Sequence, residues 1–130
     1  MVGKCARALR LLVDYMNKTP EVREFIEMWE SRILFDLRGE EPFGVVFSKD
    51  GNVKFEGGRI ERPEVVFYSD SNLFFDMMTG KLDQDEAFSN GLIEIKGSIF
   101  DSVRFRHAAE ITQQKHGTLF SVLRAFSRFS

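Results

Sequence analysis

The chain has 130 residues, a formal net charge of −2 and one cysteine, Cys5. This length predicts one domain over residues 1–130, large enough to bury about two thirds of its unfolded surface. The two signs of charge are well mixed, which argues against a nucleic-acid partner, and no window approaches the ~20 apolar residues of a membrane span.

The compartment is predicted from the cysteine and the two ends of the chain. A lone cysteine cannot form an internal disulfide, which suits a reducing compartment. The first fifteen residues interleave charged and apolar side chains, unlike a signal peptide. The last residues, Ser127-Arg128-Phe129-Ser130, do not form a Ser-Lys-Leu peroxisomal address. We therefore expect a cytoplasmic protein.

Two amphipathic helices are predicted at the start of the chain. Apolar residues follow the helical period over residues 2–17. Thr19-Pro20 then supplies a cap and a first-turn proline for a second helix over residues 20–31. A basic amphipathic helix can lie on a lipid surface, so transient membrane contact remains an expectation. Acidic residues dilute that attraction, and packing on a sheet is the favoured arrangement.

From Ile33 onward the apolar period changes to two, which is typical of strands. Asp50-Gly51 favours a tight hairpin between the second and third strands. The fourth strand is apolar on both faces, which predicts an inner place in the sheet. The pattern as a whole predicts an α+β fold with a five-stranded, largely antiparallel sheet and helices covering one face. The predicted strands cover residues 33–38, 43–48, 53–56, 64–69 and 92–96.

Two short helices are predicted between the fourth and fifth strands. Gly80 suits the position just after the first helix, where a left-handed residue is favoured. Asp83 and Glu86 form a capping box that begins the second helix, and Asn90-Gly91 ends it. The apolar face of the first helix is formed by Leu73, Phe74, Met77 and Met78.

The order and spacing of four motifs in residues 67–97 resemble those of the sterol carrier protein type two family, the sterol-binding domain. These motifs are Ser69-Asp70, Met78-Thr79-Gly80-Lys81-Leu82-Asp83, Ala87-Phe88 and Gly91-Leu92-Ile93-Glu94-Ile95-Lys96-Gly97. The close match covers about a quarter of the chain. The resemblance implies the same α+β fold, and it adds an apolar tunnel between the sheet and the helices.

The last third departs from that family. Residues 98–102, directly after Gly97, are bulkier than is usual in the family and include no second glycine. Apolar residues predict a helix over residues 98–116, and Gly117 separates it from a final amphipathic helix over residues 118–130. In the family the C-terminal segment helps to close the ligand cavity. Here three roles remain open for it: a lid, a homodimer surface and a further core helix.

The sequence offers no catalytic residues, no cofactor site and no metal site. Cys5 lies on the apolar face of the first helix, where a buried structural thiol is expected. His107 and Glu110 lie one turn apart, but His116 does not share a helix face with His107. Thr79-Gly80-Lys81 lacks the other residues of a phosphate loop. A protein that is not an enzyme is therefore predicted.

The leading hypothesis is a lipid carrier. A buried methylene gains about 0.8 kcal/mol, so an acyl chain can be held without any catalytic group. Fatty acid, acyl-coenzyme A, sterol and phospholipid all remain open as ligands. Fourteen phenylalanines suit either a packed core or a lipid chain. The predicted ligand-binding residues are Phe74, Phe75, Met77, Met78, Phe88, Ile95, Phe120 and Phe126.

The alternative hypothesis is an interaction module. In that case the same fold collapses around its own side chains, and the C-terminal helix forms a homodimer or docks on an enzyme of lipid metabolism. Relatives of the sterol carrier domain occur fused to such enzymes, which makes a partner plausible.

Overall fold

The computed structural model describes residues 3–117, where helices pack against a five-stranded sheet. The helices are α1 (Lys4–Asn17), α2 (Pro20–Ile26), α3 (Ser71–Met78), α4 (Gln84–Ser89) and α5 (Ile99–Lys115). The strands are β1 (Ser31–Arg38), β2 (Phe43–Phe47), β3 (Val53–Gly57), β4 (Val65–Asp70) and β5 (Glu94–Gly97). The helix predicted over residues 118–130, with Phe120 and Phe126, lies outside the described residues.

The strand order is β3-β2-β1-β4-β5. Neighbouring strands are antiparallel except for the parallel pair β1 and β4. The α+β prediction with a largely antiparallel sheet is confirmed. The predicted hairpin is formed by β2 and β3, and β4 occupies an inner place between β1 and β5.

A row of phenylalanines crosses the sheet on the face that the helices cover. Phe35 on β1 is the register partner of both Phe43 and Phe67, and its ring centroid lies 5.2 Å from each of theirs. Phe74 of α3 and Phe105 of α5 meet Phe35 edge-on, each with centroids 5.6 Å apart. Edge-to-face and offset aromatic pairs contribute stability beyond their buried area. Much of the phenylalanine content is thus core.

The other face of the sheet is partly covered by the connection between β3 and β4. Ile60 from this connection lies against Gly44 of β2, where an added Cβ would come within 2.8 Å of the Ile60 Cδ1 atom. Gly44 is the register partner of Leu34, which is also buried. A small apolar cluster therefore lies on the face opposite the helices.

Helix α2 is shorter than predicted. It ends at Ile26, and Met28 has a φ of 64°, so the chain turns away before Trp29. Trp29 nevertheless reaches the core, where its ring centroid lies 4.4 Å from that of Phe47. Trp29 therefore has the sequence spacing of a helical core residue, but an irregular turn after α2 places it in the core.

The signals predicted for α3 and α4 are present. The Asp70 carboxylate accepts hydrogen bonds from the backbone N–H groups of Asn72 and Leu73 at the start of α3. Gly80 has a φ of 80°, as expected for a residue just after a helix. The Asp83 carboxylate accepts a hydrogen bond of 3.0 Å from the Glu86 N–H and so begins α4.

Helix α5 exists where it was predicted, but it presents a different face to the core. The prediction rested on apolar residues that are in part exposed: Ile99 is 62% exposed, Phe100 70% and Val103 58%. The residues that α5 buries are Ser102, Phe105, Ala108 and Thr112. Its first turn is fixed by Asp101, whose carboxylate accepts hydrogen bonds from Ser31 at 2.9 Å and Trp29 at 3.3 Å. This anchor decides which face turns inward.

Gly97 makes the connection from β5 to α5 sterically feasible. Its φ is 102°, and a Cβ at this position would lie 2.1 Å from the Glu64 carbonyl oxygen. That carbonyl accepts a hydrogen bond of 2.8 Å from the Ser98 N–H. A side chain at position 97 would therefore push β5 away from the start of β4.

Helix α1 is held at one end by the connection between β1 and β2 and at the other end by β3. The Glu40 carboxylate accepts hydrogen bonds from the N–H groups of Cys5 at 3.2 Å and Ala6 at 3.0 Å. At the other end, the Asn17 amide donates to the Val53 carbonyl at 2.8 Å and accepts from the Val53 N–H at 2.9 Å. These contacts set the position of α1 over the sheet.

Candidate ligand-binding cavity

A cavity of about 180 Å³ lies between the sheet and helices α1, α3, α4 and α5. The side chains at its deep end are apolar and almost fully buried, whereas several of its outer side chains are half-buried or exposed. The deep end is formed by Leu9, Leu12, Phe67, Phe74 and Phe105. The outer part is formed by Met77, Phe88, Ile95, Ile99 and Val103.

Most of the ligand-binding residues predicted within the described part of the chain line this cavity. They are Phe74, Met77, Met78, Phe88 and Ile95. Phe75 is not among the lining residues. It is buried elsewhere on α3, with the Lys4 ammonium 5.1 Å from the centre of its ring. Phe75 points about 100° away from Phe74 around the helix axis, and its ring lies beside Lys4 of α1 instead of the cavity.

Some lining residues were not predicted from the sequence. Leu9 and Leu12 come from α1, and Phe67 and Phe105 come from β4 and α5. Leu9 and Leu12 lie on the predicted apolar face of α1, but periodicity cannot tell a core face from one that borders a cavity. Phe105 was missed because the more numerous apolar residues of α5 lie on its exposed side.

Four polar side chains complete the lining: Gln84, Ser102, Arg106 and Gln113. The Ser102 hydroxyl donates a hydrogen bond of 2.7 Å to the Ile99 carbonyl. The Arg106 Nη2 lies 2.9 Å from Asp85 Oδ1 on α4, and its Nε lies 3.4 Å from Glu110 Oε1. The interior is therefore apolar, and polarity is concentrated on α4 and α5.

Cys5 and His116, two of the side chains considered as nucleophile or metal ligand, make structural contacts. The Cys5 Sγ donates a hydrogen bond of 3.1 Å to the Ser71 carbonyl, and burial raises the pKa of this thiol, with the nearby Glu40 carboxylate raising it further. His116 Nε2 lies 2.8 Å from the Thr19 hydroxyl. Among residues 3–117, no three His, Cys, Asp or Glu side chains are grouped as metal ligands.

Between residues 3 and 117, no helix is both long and apolar enough to cross a bilayer.

Sequence comparison identifies the family to which this fold and cavity belong. Residues 11–110 match the model of the SCP-2 sterol transfer family, which is more than half of the chain. The chain belongs to the SCP-2 sterol transfer family. The resemblance of residues 67–97 is thereby confirmed and extended over most of the chain. No curated protein sequence matches this chain.

Solved structures agree with this family assignment. The structure named UbiJ-SCP2 ubiquinone synthesis protein is 14% identical, with a TM-score of 0.64 over 83% of this chain and 95% of that chain. The sterol carrier protein domain 2 of Helicoverpa armigera is 22% identical, with a TM-score of 0.60 over 86% of this chain and 94% of that one. These similarities establish the fold of the SCP-2 family member described here.

A third similar structure belongs to an enzyme. The sec-alkylsulfatase Pisa1 from Pseudomonas sp. is 10% identical, with a TM-score of 0.55 over 68% of this chain. The matching region is only 14% of the alkylsulfatase chain. A fold of the SCP-2 type is therefore a small part of that larger protein.

Proposed function

We propose that this protein binds one lipid molecule in the cavity between its sheet and helices and transfers it without catalysing a reaction. Lipid binding and transfer is the general activity that membership of the SCP-2 sterol transfer family supports. The observation that carries the proposal is the apolar deep end formed by Leu9, Leu12, Phe67, Phe74 and Phe105. We further propose that residues 1–130 act as one domain in the cytoplasm, where a free Cys5 thiol is stable.

The energetics of such binding are favourable. Each buried methylene contributes about 0.8 kcal/mol, so about ten methylenes contribute roughly 8 kcal/mol before the cost of association. Micromolar affinity corresponds to about 8 kcal/mol of net binding free energy. Because association has its own cost, an acyl chain longer than about ten methylenes is needed to reach that affinity. Met77 and Met78 suit this role because their flexible, polarisable side chains adapt to the ligand.

The size of the cavity favours an acyl chain over a sterol. Its volume of about 180 Å³ is below the roughly 300–1,000 Å³ of pockets that enclose drug-sized ligands. A flexible chain of small cross-section can enter such a space one methylene at a time. A rigid four-ring sterol requires the surrounding helices to move apart first.

The first experiment is native mass spectrometry of the purified full chain, followed by organic extraction of any bound molecule. A stoichiometric lipid supports the proposal and identifies the ligand class. If the protein is free of lipid, fatty acids and sterols are added. Failure to bind any of them would overturn the proposal.

A pair of variants tests whether binding takes place in this cavity. Ala109 lines the cavity, so Ala109→Trp fills part of it, whereas Gln114 is exposed on the same helix and Gln114→Trp leaves the cavity unchanged. Lipid binding is expected to fall at least tenfold in Ala109→Trp and to stay unchanged in Gln114→Trp. Equal binding by both folded variants would place the ligand elsewhere.

A second candidate function is that of an accessory domain that presents a lipid to an enzyme of lipid metabolism or forms a homodimer. It is supported by the exposed apolar residues Ile99, Phe100 and Val103, and by a structural neighbour named as a ubiquinone synthesis protein. Residues 118–130, for which a lid, a homodimer surface and a further core helix were predicted, would form such a homodimer in the second of these roles. The mass in solution of the full chain, compared with a chain ending at residue 117, distinguishes a dimer from a monomeric carrier.

A further inference from the structure

Arg106 stands out among the residues that line the cavity. It is the one charged side chain among the lining residues that the structure describes. It projects from α5 between Val103, in the exposed outer part of the cavity, and Ala109, one turn further along the helix. Its side chain is 37% exposed, so the guanidinium lies where the apolar interior meets solvent.

The Arg106 guanidinium also joins two helices beside the cavity. Its Nη2 pairs with Asp85 of α4 at 2.9 Å, and its Nε lies 3.4 Å from Glu110, one turn along α5. The preceding residue on α4, Gln84, lines the cavity itself. The ion pair between Arg106 and Asp85 therefore spans the outer part of the cavity between α4 and α5.

The polar groups around Arg106 retain unused hydrogen-bonding capacity. Arginine has five N–H donors on three nitrogens, and only Nε and Nη2 of Arg106 are engaged by Asp85 and Glu110. Within residues 3–117, no hydrogen bond is formed by Arg106 Nη1 or by the side-chain amides of Gln84 and Gln113. The outer part of the cavity thus has donors available to an incoming oxygen atom.

Resting on the function proposed above, we infer that Arg106 is the head-group residue of the site and selects single-chain lipids that carry an anionic oxygen head, such as a carboxylate or a phosphate. The alkyl chain occupies the apolar deep end, and the head group bonds to the Arg106 guanidinium. Arginine matches the geometry of both anions through paired N–H donors.

Asp85 is the competitor that the head group displaces. Its side chain is 82% exposed, so it returns to water at little cost when the ligand anion takes its place. Glu110 stays beside Arg106 because both lie on α5, which keeps the guanidinium oriented. The ion pair between Arg106 and Asp85 closes the empty site, and the ligand carboxylate or phosphate replaces Asp85 in the loaded one.

The test compares ligands that have the same chain and different heads. The full-length protein is titrated with dodecanoic acid, dodecyl phosphate and dodecanol, using native mass spectrometry or calorimetry. Arg106→Gln is expected to raise the Kd of the anion that is recognised about tenfold, as for a lost charged hydrogen bond, and to change the Kd of dodecanol less than about twofold. Lys115→Gln removes one positive charge from the same helix outside the cavity and is the matched control.

A second variant tests the displacement of Asp85. Asp85→Asn removes the competing carboxylate, so the Kd for the anionic ligand is expected to fall about two- to fivefold. Glu86→Gln removes an exposed charge from the next residue of α4 and is expected to leave that Kd unchanged.

The outcomes separate this inference from the function on which it rests. If dodecanol binds as tightly as both anions and Arg106→Gln affects all three ligands equally, the head-group role is overturned and lipid binding stands. If the wild-type protein binds none of the three ligands or any longer chain, both proposals fail together.

Discussion

Phe105 on α5 stands edge-on to Phe35 on the central strand, with ring centroids 5.6 Å apart and ring planes at 62°. The same Phe105 ring lies 6.1 Å from the ring of Phe67, and both side chains border the cavity. Phe105 therefore belongs to the packed core on one side and to the proposed ligand site on the other. Its position links the stability of the domain to the shape of the cavity.

Replacing Phe105 by alanine is expected to lower the free energy of unfolding by about 3–5 kcal/mol, because the large cavity left behind is not refilled. Urea unfolding measures the change. Phe100 lies on the same helix but is 70% exposed, so Phe100→Ala is expected to change stability by about 0.5 kcal/mol or less. Equal destabilisation by the two substitutions would contradict the placement of α5.

The Glu40 carboxylate takes the place of a side-chain cap on α1. Gly3 at the cap position has no side chain, and Glu40 accepts from the Cys5 and Ala6 N–H groups and from the Ser71 hydroxyl. Glu40→Ala is expected to lower the free energy of unfolding by about 1–3 kcal/mol, since these donors lose their acceptor. Chemical denaturation measures this. Glu41 is exposed, and Glu41→Ala is expected to have little effect.

Asn17 bonds to the backbone of β3, the edge strand next to β2. Its amide bonds to both the N–H and the carbonyl of Val53, and no further strand among residues 3–117 pairs with β3 on that side. Asn17→Ala is expected to cost about 1–2 kcal/mol of stability and to speed hydrogen exchange at the Val53 amide. Lys18 is exposed, and Lys18→Ala is the control. Unchanged exchange at Val53 in Asn17→Ala would refute this role.

The buried thiol of Cys5 is expected to make the free energy of unfolding depend on pH. Burial raises the pKa of its thiol in the folded protein, whereas in the unfolded chain the thiol ionises near its ordinary pKa of about 8.5. Below that pH the thiol is protonated in both the folded and the unfolded state, so the stability of the protein does not depend on its ionisation. Above it only the unfolded state releases the proton, so stability falls by up to about 1.4 kcal/mol per pH unit.

The comparison that tests this prediction uses Cys5→Ala. The difference in free energy of unfolding between wild type and variant is expected to shrink by about 1 kcal/mol between pH 8 and pH 9.5. Denaturation under reducing conditions at several pH values measures it. A difference that stays constant across this range would show that the folded thiol ionises as readily as the unfolded one.

Much of this protein was predictable from its sequence because the signals are local. The caps at Asp83 and Gly80 act within a few residues, and the alternation of β2 and β3 with the turn at Asp50-Gly51 specifies their pairing. The family resemblance of residues 67–97 rested on the order and spacing of its motifs. Of the residues predicted from α3, α4 and β5, all but Phe75 line the cavity, and Gln84 lines it without having been predicted.

Other features depended on contacts between residues far apart in the chain, which periodicity does not reveal. The inward face of α5 goes with the contacts of Trp29 and Ser31 with Asp101, and α2 ends before the irregular turn at Met28. The exclusion of Phe75 from the cavity follows from where α3 meets α1. Arg106 and Asp85 meet only when α4 and α5 are folded side by side. The sequence alone thus determined the elements and the family, whereas tertiary packing decided which side chains face the cavity, because burial and pairing depend on what lies opposite each residue in space.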